Sequence, residues 1–184
     1  MYKTKVFFTC SHSGKKKYQE YYDKIVSAIE NSNVNLIATE LGNYKQTLTK
    51  ADLKKCKSDR EVHYLAIKKG IQWADLIILE LSEESFQVGH EATLAMEMKK
   101  PVLGLSLNED WAARIKHPYF HAAKYTKYFY KDIIEKFIRD FGDEQLSERF
   151  NLFLSKRQLN KLERKAKDEN INMSEMIRRL VDGK

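Results

Sequence analysis

The sequence predicts an α/β fold: an open parallel sheet of five strands with flanking helices, followed by a small C-terminal unit of one strand and two helices. Short apolar runs recur along most of the chain, and amphipathic stretches separate them, which is typical of a parallel sheet wrapped by helices. An alternating segment with two short helical patterns behind it ends the chain. We therefore expect one domain over residues 1–144 and a second over residues 145–184.

Five apolar runs are the predicted strands of the first domain, at residues 6–10, 34–39, 75–81, 102–107 and 125–130. Between them, apolar side chains recur at helical spacing and should belong to the core. The first such helix carries Tyr18, Tyr22, Ile25, Val26 and Ile29, and the helix after the third strand carries Ala92, Leu94, Ala95 and Met98.

Composition limits the class of protein. The 184 residues hold 33 Lys and Arg against 26 Asp and Glu, a net charge of +7, which favours polyanionic partners but also suits a solvated lysine-rich surface. The two cysteines, Cys10 and Cys56, give no disulfide framework and indicate a reducing, cytoplasmic location. Metal-ligand spacing and apolar runs of membrane-spanning length are missing from the sequence, so we expect no metal, no cofactor and no membrane partner.

Two loops are the candidate ligand site, because ligands bind beyond the carboxyl ends of the strands in an open parallel sheet. The loop after the first strand holds Ser11, Ser13 and Gly14, small residues that let backbone amides approach a phosphate at a helix N-terminus. The loop after the third strand leads through Gly89 to Glu91, whose carboxylate should point into the crevice. Each pattern alone is also that of an ordinary turn and an ordinary helix start.

Both loops together resemble the nucleoside 2-deoxyribosyltransferase superfamily, and most of all its 2'-deoxynucleoside 5'-phosphate N-hydrolase branch, over residues 5–142. The resemblance implies that Glu91 is the nucleophile that attacks the anomeric carbon, as in retaining glycosidases. It also implies that the 5'-phosphate of a nucleoside monophosphate is held at Ser11, Ser13, Gly14, Ser85 and Gly89. The matching segments are Val6-Phe-Phe-Thr-Cys-Ser-His-Ser-Gly14, Thr39-Glu40 and Ala74-Asp75-Leu-Ile-Ile-Leu-Glu-Leu-Ser-Glu-Glu-Ser85-Phe-Gln-Val-Gly89-His-Glu91.

Two positions depart from this pattern. Phe7 replaces the family's active-site tyrosine, and Ile67 stands where the family has the aspartate that serves proton transfer. Loss of a general acid typically costs about 10²–10⁴-fold in rate. Substitutes on the same helix are Arg60, His63 and Tyr64, of which His63 alone has an ordinary pKa near neutrality; His12 and His90 also flank the expected pocket.

Residues 149–184 resemble the ribbon-helix-helix proteins of the MetJ/Arc/CopG type, whose paired strands enter the major groove of DNA. Ser155 is the expected N-cap of the first helix, and a capping-box sequence from Asn172 to Glu175 opens the second. The resemblance implies a homodimer or a higher oligomer that binds duplex DNA; the alternative is a ribbon that only dimerises the chain. The outward strand residues would read bases, and the second helix would meet a phosphate at its start: Arg149, Asn151, Phe153 and Ser174.

Three functions are compatible with these features. The first hypothesis is a nucleotide-responsive transcriptional regulator with a degenerate N-glycosidase-like pocket. The alternative is an active nucleoside 2-deoxyribosyltransferase or nucleoside 5'-monophosphate N-glycosidase that uses Glu91, and a third is an interaction module with an inactive pocket. Phe7 and Ile67 count against catalysis and Glu91 counts for it. The sequence leaves open the base and sugar preference, the operator, and whether the pocket is catalytic.

Overall fold

A computed structural model describes residues 3–142 and 152–181. The chain divides into two compact units, Met1–Gln145 and Leu146–Lys184. No helix in the described ranges is long and apolar enough to cross a membrane. The strands are β1 (Lys5–Cys10), β2 (Asn35–Ala38), β3 (Leu76–Glu80), β4 (Val102–Ser106) and β5 (Phe120–Lys124). The helices are α1 (Lys15–Asn31), a 3₁₀ helix (Asn43–Thr47), α2 (Lys50–Lys55), α3 (Asp59–Trp73), α4 (Phe86–Glu97), α5 (Trp111–Arg114), α6 (Lys131–Gly142), α7 (Lys156–Asp168) and α8 (Met173–Val181).

The first unit is built on the parallel sheet that the sequence predicts, with the strand order β2-β1-β3-β4-β5. The chain runs from β1 to β2 on one side and returns to β3 on the other side of β1. The loops that follow β1 and β3 therefore diverge and leave a crevice at the carboxyl ends of these two strands. Cys10 pairs with Glu80 in the register, so both strands end at the same level of the sheet.

The side chains of β1 divide between two apolar layers. Val6 and Phe8 pack into the layer that contains the buried residues of α1 and α6, whereas Phe7 packs into the layer of α3 and α4. Alternation along a strand places Thr9 on the same face as Phe7, at the end nearest the crevice. Burial of a large apolar side chain contributes about 1.5–3 kcal/mol, so these two layers hold the strand in place.

The prediction of the fifth strand at residues 125–130 is wrong, because β5 lies earlier, at Phe120–Lys124. This strand is at the edge of the sheet, and its side chains after Phe120 are only half buried or exposed, so its apolar character is weak. Tyr125 and Tyr130 are buried, as their apolar character suggested, but they lie outside the strands. They pack into the layer of α1 and α6.

The second unit contains the two helices that the sequence predicts. Ser155 caps α7 and forms a reciprocal capping box with Gln158. Asn172 Oδ1 accepts from the Glu175 amide (2.9 Å) and so caps α8. Between the two helices a small core is buried, made of Leu162, Ala166 and Met176.

The predicted strand of the second unit stays a prediction. Arg149 and Asn151 lie outside the described residues, and Phe153 belongs to a segment, 152–155, without regular structure within the chain. Its ladder partner would be a second chain, so the strand could not form within one chain. Phe153 is almost fully exposed, and Ser174 is exposed in the first turn of α8.

A buried carboxylate supports the sheet from inside the first unit. Glu80 ends β3 with no exposed surface, and it accepts hydrogen bonds from the Ser82 hydroxyl and from Tyr125 Oη, the latter at 3.0 Å. The Ser82 amide donates to both carboxylate oxygens at 3.3 Å. Burial raises the pKa of Glu80, against the opposing effect of these donors.

We predict that Tyr125→Phe lowers the free energy of unfolding by about 1–3 kcal/mol, because it removes a donor from a buried carboxylate. Denaturant titration followed by circular dichroism measures the change. The matched control is Tyr128→Phe, since Tyr128 is largely exposed and its loss of a hydroxyl should leave the midpoint unchanged. Equal midpoints for the two variants would contradict a supporting role of the Tyr125–Glu80 bond.

Candidate functional site

A polar cavity of about 610 Å³ occupies the crevice beyond β1 and β3. Two helix N-termini border it, since Lys15 begins α1 and Ser85 caps α4 by accepting from the Val88 amide. Helix N-termini carry partial positive charge and unpaired amides, so this cavity suits an anion. Its lining is Thr9, Cys10, His12, Lys15, Thr39, Glu40, Gly42, Tyr44, Lys45, His63, Ser85, Gln87 and Val88.

A second cavity, here called the aromatic cavity, has a volume of about 660 Å³ and lies between α3 and α4. The rings of Tyr64 and His90 stack in its wall, with centroids 6.1 Å apart and an interplanar angle of 20°. Phe86 stands in the same wall almost fully exposed. An apolar, ring-lined cavity of this kind suits a planar group such as a nucleobase. Its lining is Asp59, Arg60, His63, Tyr64, Ile67, Phe86, Gln87, His90, Glu91 and Leu94.

Glu91 lies on the buried side of α4, with only 2% of its surface exposed. Its Oε1 accepts a hydrogen bond from Gln87 Nε2 at 2.9 Å, and among the described residues its Oε2 has no partner. Burial raises the pKa of the Glu91 carboxyl, while the hydrogen bond from Gln87 and the nearby Thr9 hydroxyl act in the opposite direction. An acceptor oxygen left unpaired in a buried wall is positioned to meet a group of a ligand.

A chain of hydrogen bonds runs from Glu91 to the 3₁₀ helix. The amide nitrogen of Gln87 lies 3.0 Å from His63 Nε2, and the phenol of Tyr44 lies 2.9 Å from His63 Nδ1. Because the Gln87 nitrogen is a donor, neutral His63 accepts at Nε2 and donates from Nδ1 to Tyr44. Burial lowers the pKa of His63, and the nearby positive charges of Lys45 and His12 add to the shift. His63 and Gln87 line both cavities and mark their junction.

The two departures from the family pattern are packed side chains. Phe7 is fully buried against Gly70 of α3, where even a methyl group would collide with the phenyl ring. Ile67 is buried in the same apolar layer and borders the aromatic cavity. His63 lies four residues before Ile67, so both occupy one face of α3.

The expected phosphate-binding residues are distributed over different places. Ser11 is buried, and its hydroxyl lies 2.8 Å from that of Ser13. Gly14 allows the loop after β1 to approach the loop after β3, because a side chain there would collide with the Tyr22 hydroxyl and would lie 2.9 Å from Glu83 Cβ.

The remaining two expected residues differ in their surroundings. Ser85 borders the polar cavity and also a separate pocket with Phe86 and Trp111, whereas Gly89 is exposed and borders only the latter. Ser85 therefore shares the lining of the polar cavity with His12 and Lys15, and Gly89 does not.

Charge in the polar cavity is partly balanced. Lys15 Nζ forms an ion pair with Glu40 at 2.9 Å, and Gln19 donates to the other Glu40 oxygen at 2.8 Å. Burial acts to raise the pKa of Glu40, but these donors outweigh it and lower the pKa. Glu40 therefore stays ionised, which leaves Lys45 and His12 to attract an anion.

Among the described residues no group of three or more His, Cys, Asp or Glu side chains could hold a metal ion.

Sequence reasoning did not single out three residues that surround Glu91 and His63 in the structure, namely Gln87, Tyr44 and Thr9. The spacing of Gln87 and Glu91, four residues apart on one helix face, is visible in the sequence and could have indicated their contact. Thr9 follows Phe7 by two positions and so shares its face of β1. The contact of Tyr44 with His63 joins two separate elements and has no sequence pattern.

Comparison with known proteins finds solved structures of low similarity, among them the following two. The CMP N-glycosidase BcmB from Clostridium botulinum shares 15% identity over 72% of this chain and 97% of its own, with a TM-score of 0.49. The lysine decarboxylase LdcF from Francisella novicida shares 13% identity over 89% of this chain, with a TM-score of 0.44, and this chain spans only 23% of its length. No family model and no curated protein matches. Similarity at this level leaves activity to be inferred from the site.

We predict that Glu91→Gln raises the free energy of unfolding at pH 8 more than at pH 5. Since burial raises the pKa of Glu91 in the folded chain, the folded state binds a proton that the unfolded state has already released. The stability of the wild type therefore falls as pH rises through the folded-state pKa, and glutamine removes that loss. Denaturant titrations at both pH values test this. Glu97→Gln, an exposed change on the same helix, should show no such pH dependence; equal effects for both variants would contradict the prediction.

Proposed function

We propose that the first unit is a nucleoside 5'-monophosphate N-glycosidase in which Glu91 is the nucleophile. The observation that carries this proposal is the position of Glu91, a buried carboxylate with an unpaired oxygen, in the wall of the aromatic cavity and one hydrogen bond from the junction residue Gln87. A carboxylate so placed can capture an oxocarbenium-like carbon and form a glycosyl ester.

The two cavities suit the two ends of a nucleotide. The polar cavity has the helix N-termini, His12 and Lys45 to receive a phosphate, and the aromatic cavity has rings to contact a base. A nucleotide that spans the junction places its pentose, and with it the glycosidic bond, beside Glu91 and Gln87. This arrangement favours the enzyme over an inactive binding pocket, because a pocket that only binds has no need of a buried, unpaired carboxylate.

We predict that the wild type releases free base from at least one nucleoside 5'-monophosphate and that Glu91→Gln abolishes the release. Chromatography of the ribo- and deoxyribonucleotides after incubation measures it. Glu97→Gln is the matched control and should retain full activity, since Glu97 is exposed and remote from the hydrogen-bonded chain. Saturable binding of a nucleotide without any base release would contradict the enzyme and favour a nucleotide-responsive regulator.

For the second unit we propose homodimerisation and binding to duplex DNA, as the resemblance of residues 149–184 implies. One observation favours the dimer: an apolar groove of about 380 Å³ is open on this unit, with Leu152, Leu180 and Val181 exposed in its wall. Apolar side chains grouped in this way gain free energy when a second copy covers them. Lys161 and Lys165 border the same groove and give this unit positive charge of the kind that phosphates attract.

We predict that Leu180→Lys converts the dimer into monomers, because a charge would have to be buried in the covered groove. Sedimentation velocity measures the mass, with Leu53→Lys in α2 as the control for a comparably exposed leucine.

We predict that Arg149→Ala weakens binding to the preferred duplex by about 1–3 kcal/mol and relaxes base preference, because an arginine that reads guanine makes paired hydrogen bonds to it. Titration of labelled duplexes measures the affinity. Identical mass and identical DNA affinity in all variants would contradict this second proposal.

A further inference from the structure

The proposed cleavage requires a proton for the departing base, and the junction of the two cavities offers one group suited to supply it. His63 is the only histidine among the described residues that lines both cavities. Its Nε2 faces Gln87, on the side of Glu91, and its Nδ1 is fixed by Tyr44. This geometry aims one ring nitrogen at the place where the glycosidic bond would lie.

We propose that His63 donates the proton to the departing base, and that it takes up this proton when the anionic end of the substrate fills the polar cavity. The inference rests on the proposed N-glycosidase function. It names the general acid of that reaction and the substrate group, the phosphate, whose binding leads to protonation of this acid. An uncharged nucleoside would leave His63 neutral and the base without its donor.

The surroundings of His63 explain why an anion would charge it. Burial, Lys45 and His12 all hold its pKa below the ordinary value in the empty site. A phosphate in the polar cavity brings negative charge beside Lys45 and His12 and cancels their repulsion of a third positive charge. The other titratable groups that share a cavity lining with His63 are Cys10, Lys15, Glu40 and Tyr44 in the polar cavity and Asp59, Arg60, Tyr64, His90 and Glu91 in the aromatic cavity.

The bonds and protons of the reaction then balance. Glu91 Oε2 attacks the anomeric carbon, the electron pair of the C–N bond passes to the base, and the proton on His63 Nε2 follows it. Neutral His63 next takes a proton from water as the water oxygen attacks the same carbon and releases the Glu91 carboxylate. One water is consumed, base and sugar phosphate leave, and both side chains return to their starting states.

Gln87 has to release His63 for this to occur. Its amide nitrogen donates to both His63 and Glu91, an arrangement that suits a neutral imidazole but repels a protonated one. Gln87 is exposed, so its side chain is free to turn when Nε2 gains a proton. Because one amide nitrogen contacts both residues, protonation of His63 would also change the hydrogen bond that Gln87 donates to Glu91.

The test compares two leaving groups on His63→Gln. One substrate is the nucleoside monophosphate that the wild type cleaves best, and the other is the 4-nitrophenyl glycoside of the same pentose 5-phosphate, whose leaving group departs without a proton. We expect base release to fall by about 10²–10⁴-fold, the usual contribution of a general acid, and nitrophenol release to fall far less. The control His117→Asn changes an exposed histidine outside both cavities and should leave both rates unchanged.

Equal losses on the two substrates would overturn the inference and leave the N-glycosidase proposal intact. A wild type that releases neither leaving group would overturn the proposed function itself, and the two failures are thus distinct. A second measurement does not depend on the variant's activity: the ring resonances of His63 are titrated by NMR with and without ribose 5-phosphate. We expect its pKa to rise in the complex; an unchanged His63 pKa overturns the inference.

Discussion

Glu91 holds a carboxylate almost entirely out of water with one oxygen unpaired, and the surrounding site is arranged around this group. Transfer of an ionised carboxyl group from water to an apolar interior is costly, and one hydrogen bond from Gln87 with the help of Thr9 offsets only part of the cost. The fold sustains it because β1 and α4 are fixed by the apolar layer below, which includes Phe7, Ile67 and Val88. A rigid support of this kind allows a strained electrostatic arrangement to persist.

A second buried carboxylate shows what a purely structural role looks like in the same sheet. Glu80 ends the neighbouring strand, yet Ser82 and Tyr125 satisfy its oxygens. Burial raises the pKa of both Glu80 and Glu91, so the pKa shift alone does not separate them. The hydrogen bonds of the two carboxylates do separate them. Glu80 is surrounded by donors, whereas Glu91 keeps one oxygen without a partner among the described residues and borders the aromatic cavity. This difference in pairing is the reason for proposing that Glu91, and not Glu80, meets the substrate.

The sequence predicts the sheet, its first four strands and the caps of α7 and α8, because periodicity and capping are local properties. The prediction misplaces β5, because an edge strand buries few side chains and its apolar pattern is therefore weak. Tyr125 is apolar enough to be taken for a strand residue, but it lies outside the strand and donates a hydrogen bond to Glu80. Glu91 stands out through its motif. The bridge through Gln87 and His63 does not, because it joins α3, α4 and the 3₁₀ helix across distances that only the packed fold determines.

The acid of the proposed reaction, His63, lies close to Ile67 on α3. Both lie on one face of α3, one turn apart, and Ile67 now completes the apolar layer beside Phe7. His63 also lines the polar cavity, so in the proposed mechanism its charge would respond to an anion bound there. Binding of the phosphate, which is remote from the glycosidic bond, would then favour the protonated His63 and so lower the barrier to cleavage of that bond. The site would distinguish a nucleotide from a nucleoside by the rate of cleavage as well as by affinity.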